Sequence, residues 1–479
     1  MAAIVCCINY IYAQQIAYSE PDRDDQRSLN FDIVGKMNGN YLVYKNIRND
    51  HNIAVYDGEM KMVSKEKMDF LPDKILNSDV LAYKDYFYFI YQYQKKNVVY
   101  CMAAKMDGSG KIIGEPQELD TAVISFFASN KIYTFINSED KQKLMVFKIN
   151  TKNQSNYAVT TSLFDASLNL LHRSRFNIAM NDKGDFLDEF NLDNTGSLVF
   201  IKPSGSNQND NINKILMYTK AADADELSGY ELNIKQIYLD DIHLKVDNIN
   251  GNYLITSFYS KTRKGNIEGL YCFLWNKQQA KEAVSATTPF TDEMRENAKT
   301  TGNIKLAFND FFVQNIFMRK DGGFAIAAES VYSSTRGAYT SRWDYLYGSP
   351  YLYTSDFYYW NSPYYGYYYP WNRWGGTNQI TRYYADNVSI MSFDSSGVLQ
   401  WANVINKSQY DDYSDNFIGY GVMNTGGEIH FLFNQLEKRQ QLLTDNAIQA
   451  GGQINRSPTL HNLDKDYIFM PRYLKQVGA

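Results

Sequence analysis

Apolar runs too short for a helix, each led by a tight polar turn, recur along this chain. The clearest copy is Asp321-Gly322-Gly323 followed by Phe324-Ala325-Ile326-Ala327-Ala328. So brief a run cannot make a stable helix, and adjacent glycines supply positive φ, so the pattern predicts strand, tight turn, strand. The same signal occurs at Asn38-Gly39-Asn40 before residues 41–44, Lys84-Asp85 before 86–90 and Ser129-Asn130-Lys131 before 132–136. It returns at Asn194-Thr195-Gly196 before 198–201, Asn250-Gly251-Asn252 before 253–255 and Thr425-Gly426-Gly427 before 429–433. A second pattern ends a strand in Asp and turns at once: Asp57-Gly58, Asp107-Gly108-Ser109-Gly110, Asp165-Ala166 and Asp394-Ser395-Ser396-Gly397. An Asp at the head of a turn accepts hydrogen bonds from the turn's own amides, so these sites predict outer hairpins. A hairpin at each end of a repeat makes four antiparallel strands.

The copies lie about 45 to 70 residues apart, except for a last interval near 100, and about 45 residues suits a four-stranded propeller blade. The repeats then run 31–73, 74–122, 123–178, 179–241, 242–291, 292–409 and 410–479. Leu29, Phe31 and Ile33 alternate with polar residues as a first or closing strand should. Residues 291–300, with Asp292, Glu293, Glu296 and Lys299, predict a short solvent-facing helix in a linker. The series of turns and strands resembles that of seven-bladed β-propellers. That resemblance implies an all-β fold of about seven four-stranded antiparallel blades. The last blade is expected to be incomplete, because 467–470 reads as a strand limited by Pro471 and no outer strand follows. Trp-Asp and kelch signatures are missing, so no family with a known activity is implied.

Composition narrows the picture further. At 479 residues the chain exceeds a single ordinary core, as a repeat array would. A net charge of -5 with interspersed signs offers no phosphate-binding face, which argues against nucleic acid. Forty tyrosines and only 10 prolines favour sheet. Residues 2–12 are apolar with only Asn9 interrupting, and Ala13-Gln14-Gln15 offers a cleavage region, so 1–15 reads as a signal peptide and 28–479 as the propeller. Export to the periplasm, the outer membrane's surface or the extracellular space follows as an expectation. No cation precedes the apolar run, and Val5 before Cys6 and Cys7 fits a lipidation site poorly. No later run reaches the roughly 18 apolar residues of a membrane helix. Cys101 and Cys272 each sit inside a strand-like run of a different repeat, which favours two buried free thiols over a disulfide.

Residues 338–376 form a Tyr/Trp-rich loop inserted in the sixth blade, and they hold four of the chain's six tryptophans. Pro350, Pro363, Pro370 and several glycines forbid a long regular element there. Tyr and Trp bring large contact area and a polar tip, so Trp343, Tyr351, Trp360, Tyr364, Tyr365, Tyr368, Trp371 and Trp374 are the candidate binding residues for an envelope protein or glycan. Self-packing on a blade edge and peripheral contact with a membrane interface remain open alternatives.

Catalytic signals are sparse. His51, His172, His243, His430 and His461 show no metal-ligand spacing, and neither a GxSxG elbow nor a phosphate loop occurs. No metal or cofactor is implied. Asn181-Asp182-Lys183-Gly184-Asp185 has clustered oxygens but lacks a calcium loop's periodic acids. The acid pairs Asp188-Glu189, Asp240-Asp241 and Asp411-Asp412 read first as solvated surface. The favoured expectation is a non-catalytic binding or scaffold propeller; the rival is a glycan-processing enzyme with two such acids in an axial pocket.

Overall fold

The computed structural model describes residues 16–21, 29–124, 132–150, 153, 155–181, 184–205, 211–234, 236–299, 302–335, 338–339, 342, 381–412, 415–437, 440–456, 463 and 467–478. Contacts divide the chain into two units, 1–96 with 100–118 and 478, and 97–99 with 119–477 and 479. Each is taken by itself below.

The strands form a succession of antiparallel meanders, each strand paired with the one before it in the chain. Their first strands are Leu29–Met37, Asn77–Ala82, Tyr133–Asn137, Asp188–Leu192, Tyr238–Asp247, Phe311–Met318 and Gly421–Asn424. The matching outer strands are Met62–Lys67, Gln117–Val123, Leu170–Ala179, Ser228–Glu231, Lys281–Pro289, Leu399–Ile405 and Ile454–Arg456. Six sheets result because the fourth and fifth meanders touch at a single pair, Ile212 with Leu239. Seven four-stranded antiparallel blades in chain order make this an all-β, propeller-type fold.

Within each unit cores lie between successive meanders, and the side-chain period of two explains how. In the second strand of the fourth meander, Leu198 and Phe200 join Met145 and Phe147 of the third. Their neighbours Val199 and Ile201 turn the other way, onto Tyr253 and Phe273 of the fifth. Both faces of such a strand are buried, so its sequence reads as an unbroken apolar run. Leu254 and Phe258 then meet Phe324 and Phe393, and Ile390 and Ile405 meet Phe431 and Phe433. In the first unit Leu42 and Ile53 pack on Phe87 and Phe89 in the same manner. Each large side chain so buried contributes about 1.5–3 kcal/mol.

The Asp-led hairpins share one geometry. Asp57, Asp107, Asp165 and Asp394 each accept at one carboxylate oxygen the amides two and four residues on, at 2.8–3.0 Å. All four sit between the third and fourth strands of their meander, as outer hairpins. Asp193 makes the same contacts from the amides of Thr195 and Ser197, here in an inner hairpin. The residue three after each Asp takes positive φ, and at Gly110 a Cβ would also stand 2.8 Å from Ile53 of the neighbouring hairpin.

Several boundaries differ from the sequence reading. Six turn copies described above join first to second strands, but in the third repeat the run after 129–131 is the meander's first strand, and 129–131 lie outside the described residues. The expected break at 241/242 cuts the strand Tyr238–Asp247, because an acid pair inside a bulged strand reads as loop. The breaks at 122/123 and 178/179 miss by one residue. The seventh blade has its fourth strand at Ile454–Arg456, while 467–470 is not a strand and leads into a turn of 3-10 helix at Pro471–Tyr473. Helix Asp292–Ala298 is present, with Thr291 Oγ1 accepting the Met294 amide at 3.2 Å. It is not wholly solvent-facing: Ala298 is in the core and buried Arg295 donates to the carbonyls of Ile267 and Glu268.

Residues 1–15 lie outside the described set. Among the described residues no helix is long and apolar enough to cross a membrane. Cys101 and Cys272 are buried thiols not joined in a disulfide, in agreement with the thiol reading.

Candidate binding surface

All eight aromatic candidates, Trp343, Tyr351, Trp360, Tyr364, Tyr365, Tyr368, Trp371 and Trp374, lie outside the described residues. The root from which their segment departs is described. It is built by the second and third strands of the sixth meander, Phe324–Thr335 and Thr381–Phe393, which pair as far as Thr335 with Thr381. Two short strands flank their outer ends, Ala338–Tyr339 on one side and Gln409–Asp411 on the other. Val331, Tyr332 and Thr335 on one strand and Thr381, Tyr383 and Tyr384 on the other suit this extended ladder.

Tyr332, Tyr384 and Tyr410 occupy directly opposed positions across three strands. The first two rings stack at 4.6 Å and 13°, and Tyr384 meets Tyr410 at 6.5 Å. The Arg382 guanidinium stands 4.6 Å from the Tyr410 centroid and pairs with Asp412 through two hydrogen bonds. Tyr410 is 52% exposed, so the row ends in an open aromatic surface backed by a planar cation. Sequence reading passed over these tyrosines because one at a time they look like ordinary strand residues. The cross-strand register is what gathers them. Asp412, read as solvated surface, is half-buried and held by Arg382.

Behind the row lies a buried polar layer. Tyr332 donates its hydroxyl to Asp386 at 2.8 Å; burial first, and then Asp386, raises the phenol's pKa. Lys407 sits 2.7 Å from Glu329 and donates to the Ala385 carbonyl and to Gln409, each at 2.8 Å. Burial lowers the ammonium's pKa and Glu329 opposes that shift. Arg342, the last described residue before 381, reaches Asp240 with Nε and Nη2 at 3.0 and 2.7 Å.

The acid pairs Asp188-Glu189 and Asp240-Asp241 are not solvated surface. Both fall at register shifts in first strands, and the second acid of each takes positive φ, 55° at Glu189 and 51° at Asp241. Each then accepts an amide from the next meander's first strand: Leu244 to Glu189 at 2.9 Å and Val313 to Asp241 at 2.7 Å. His243 lies between them, 3.0 Å from Asp241 and 3.5 Å from Glu189. Burial presses the imidazole towards neutrality, but the two carboxylates outweigh it and hold its pKa well above the usual value. Asp240 and Asp241 are shifted in opposite directions, Asp240 upwards by burial and Asp241 downwards by His243 and Arg342 against its own burial. Such a split is what an acid/base pair requires. Here both oxygens of Asp240 are taken by Arg342 and the residue is 2% exposed, so a glycosidic bond has no access to it.

The other candidates are likewise engaged. Asp185 binds Lys202, Ser204 and the Asn181 amide, while Asp182 and Lys183 lie outside the described residues. His51 bonds the Tyr44 hydroxyl, His172 meets Asp225 and His430 meets Asp445; His461 lies outside the described residues. No group of three or more metal-ligating side chains gathers among the described residues. An open cleft of about 680 Å³ is lined by Lys148, Thr160, Arg173, Ser174, Arg175 and Asp225. Lys148 and Arg173 both already pair with Asp120.

Comparison with known proteins returned no family model and no curated protein that matches. Among solved structures, the WD40 domain of SCAP from fission yeast is 9% identical, with 93% of each chain covered and a TM-score of 0.37. A PL25 polysaccharide lyase, an ulvan lyase, is 12% identical over 80% of this chain and 82% of its own, also at 0.37. A prolyl endopeptidase is 9% identical over 88% of this chain and 55% of its own, at 0.36. These are backbone likenesses too distant to bear on activity, and the fold rests on the sheets described above.

Proposed function

We propose that the chain is an exported, non-catalytic binding module of the cell envelope. It engages a protein or glycan through the aromatic segment of the sixth meander, with Trp343, Tyr351, Trp360, Tyr364, Tyr365, Tyr368, Trp371 and Trp374 as contact residues. The observation that carries this reading is the cross-strand row Tyr332, Tyr384 and Tyr410, its first two rings stacked and its last tilted and exposed at the root of that segment. Exposed clusters of rings with a guanidinium beside them are the usual anchors of interaction surfaces. The rival hydrolytic reading loses support because the convergent acids Glu189, Asp240 and Asp241 are spent on fixed partners.

The test replaces residues 343–380 with a short Gly-Ser linker. Arg342 has to stay, since a cut from 338 would leave buried Asp240 without its cation and confound folding with binding. The native chain is expected to be retained on envelope fractions or on one class of array glycan, and the variant to lose that retention while still unfolding cooperatively. Equal retention of the variant would overturn the proposal.

A further inference from the structure

One face of the third meander is polar and carries an excess of positive charge. Lys148 opposes Thr160, and Thr160 opposes Arg175, across the meander's second, third and fourth strands. Arg173 stands two residues before Arg175 on the outer strand Leu170–Ala179, so it points the same way, about 7 Å along the strand. With Ser174 and Asp225 these four residues line the open cleft of about 680 Å³. Small-ligand sites typically span about 300–1,000 Å³. Lys148 is held in place: its ammonium lies 2.6 Å from Asp120 and donates to the Thr121 carbonyl at 3.0 Å and the Tyr133 hydroxyl at 3.3 Å. Buried Asp120 has one carboxylate oxygen on Lys148 and the other on Arg173, and it thereby fixes both cations. Arg173 uses only Nη2 for that pair, and half of its side chain stays exposed. Arg175 is exposed, and its side chain has no ion pair or hydrogen bond among the described residues. Three cations therefore share one internal carboxylate. The spare donors of two guanidinium forks fit a carboxylate or sulfate group.

We infer that this cleft is a second binding site, for an acidic glycan: Arg173 and Arg175 take a carboxylate or sulfate group, and Thr160 and Asp225 take the hydroxyls beside it. Asp225 is exposed on the cleft lining, 3.0 Å from His172 Nε2. An acceptor placed next to donors suits a charged sugar, whose hydroxyls donate as well as accept. The same carboxylate, with a net charge of -5 over the whole chain, works against a polyphosphate strand. The cleft shares no residue with the aromatic surface, so either proposal can fail without the other.

The probes are trigalacturonate and a sulfated disaccharide, each titrated calorimetrically into the full chain at low salt. Methyl-esterified trigalacturonate is the uncharged control, and a single-stranded oligonucleotide of equal charge is the rival ligand. At least one acidic sugar is expected to bind and the ester is not, with affinity falling as salt rises. Arg175→Gln breaks no contact among the described residues, so its melting temperature should match that of the native chain. Its affinity for the acidic sugar is expected to drop about tenfold, as when one charged hydrogen-bonding group is lost. Asp225→Ala should also weaken that sugar; a gain in affinity, which an anion without hydroxyls would show, would overturn the glycan assignment. Binding of neither acidic sugar, equal binding of the ester, an unchanged affinity in Arg175→Gln, or tighter binding of the oligonucleotide would each overturn the inference.

Discussion

The fourth residue of the Asp-led turn has a left-handed backbone whatever side chain it carries. Glycine fills that place at Gly110, Gly196 and Gly397, but Met60 and Leu168 hold φ of 61° and 63°. For an L-residue the left-handed region costs about 1–2 kcal/mol, part of which glycine returns as unfolded-chain entropy. Met60 is only partly buried, so Met60→Gly is expected to raise stability by about 0.5–1 kcal/mol in urea titration. Leu168 shares the backbone but is 4% exposed, and Leu168→Gly is expected to cost about 2–5 kcal/mol because packing outweighs strain there. If both substitutions moved stability in the same direction, the geometry assigned to this turn would be wrong. Burial alone would raise the pKa of Asp107, and the Ser109 hydroxyl with the amides of Lys111 and Ser109 brings it below its usual value.

At the level of strands, the first strands of the fourth, fifth and sixth meanders are joined by side chain to backbone staples with His243 between two of them. The folded pKa of His243 lies well above 6.5, so its contribution is fully present below the unfolded value and is lost as pH rises through the folded one. Asp241 is depressed and works in the opposite sense, being lost only as pH falls through its folded value. The melting temperature is therefore expected to hold through mildly acidic pH and decline on the alkaline side, and His243→Gln should flatten that decline. An alkaline slope identical in native and variant protein would remove His243 from the account. These staples were the least legible feature of the sequence. Asp188-Glu189 and Asp240-Asp241 read as surface loops because acid pairs usually are, and nothing local says that a bulge turns the second carboxylate onto the next strand. Turns such as 38–40 and 321–323 were legible because their chemistry is local.

Across the whole chain, what could be read was whatever repeats. Seven apolar runs with their turns were enough for an all-β array of blades, since a strand buried on both faces announces itself by composition alone. Contacts between residues far apart in the chain, such as Asp240 with Arg342 or Tyr332 with Tyr384 and Tyr410, left no periodic mark. The root of the aromatic segment therefore had to be seen in three dimensions. The last blade shows the same limit: Ile454–Arg456 is a three-residue strand, too short to stand out from its surroundings.

Cys101 and Cys272 are each 1% exposed, one in either unit, and burial pushes the Cys272 thiol up to about 12. A thiol of that kind reacts with an alkylating reagent only when its surroundings open. Each unit of the chain thus carries its own clock. Mass-resolved labelling of the two peptides in mild urea should show them modified in step if the units melt together, and at separate rates if one gives way first.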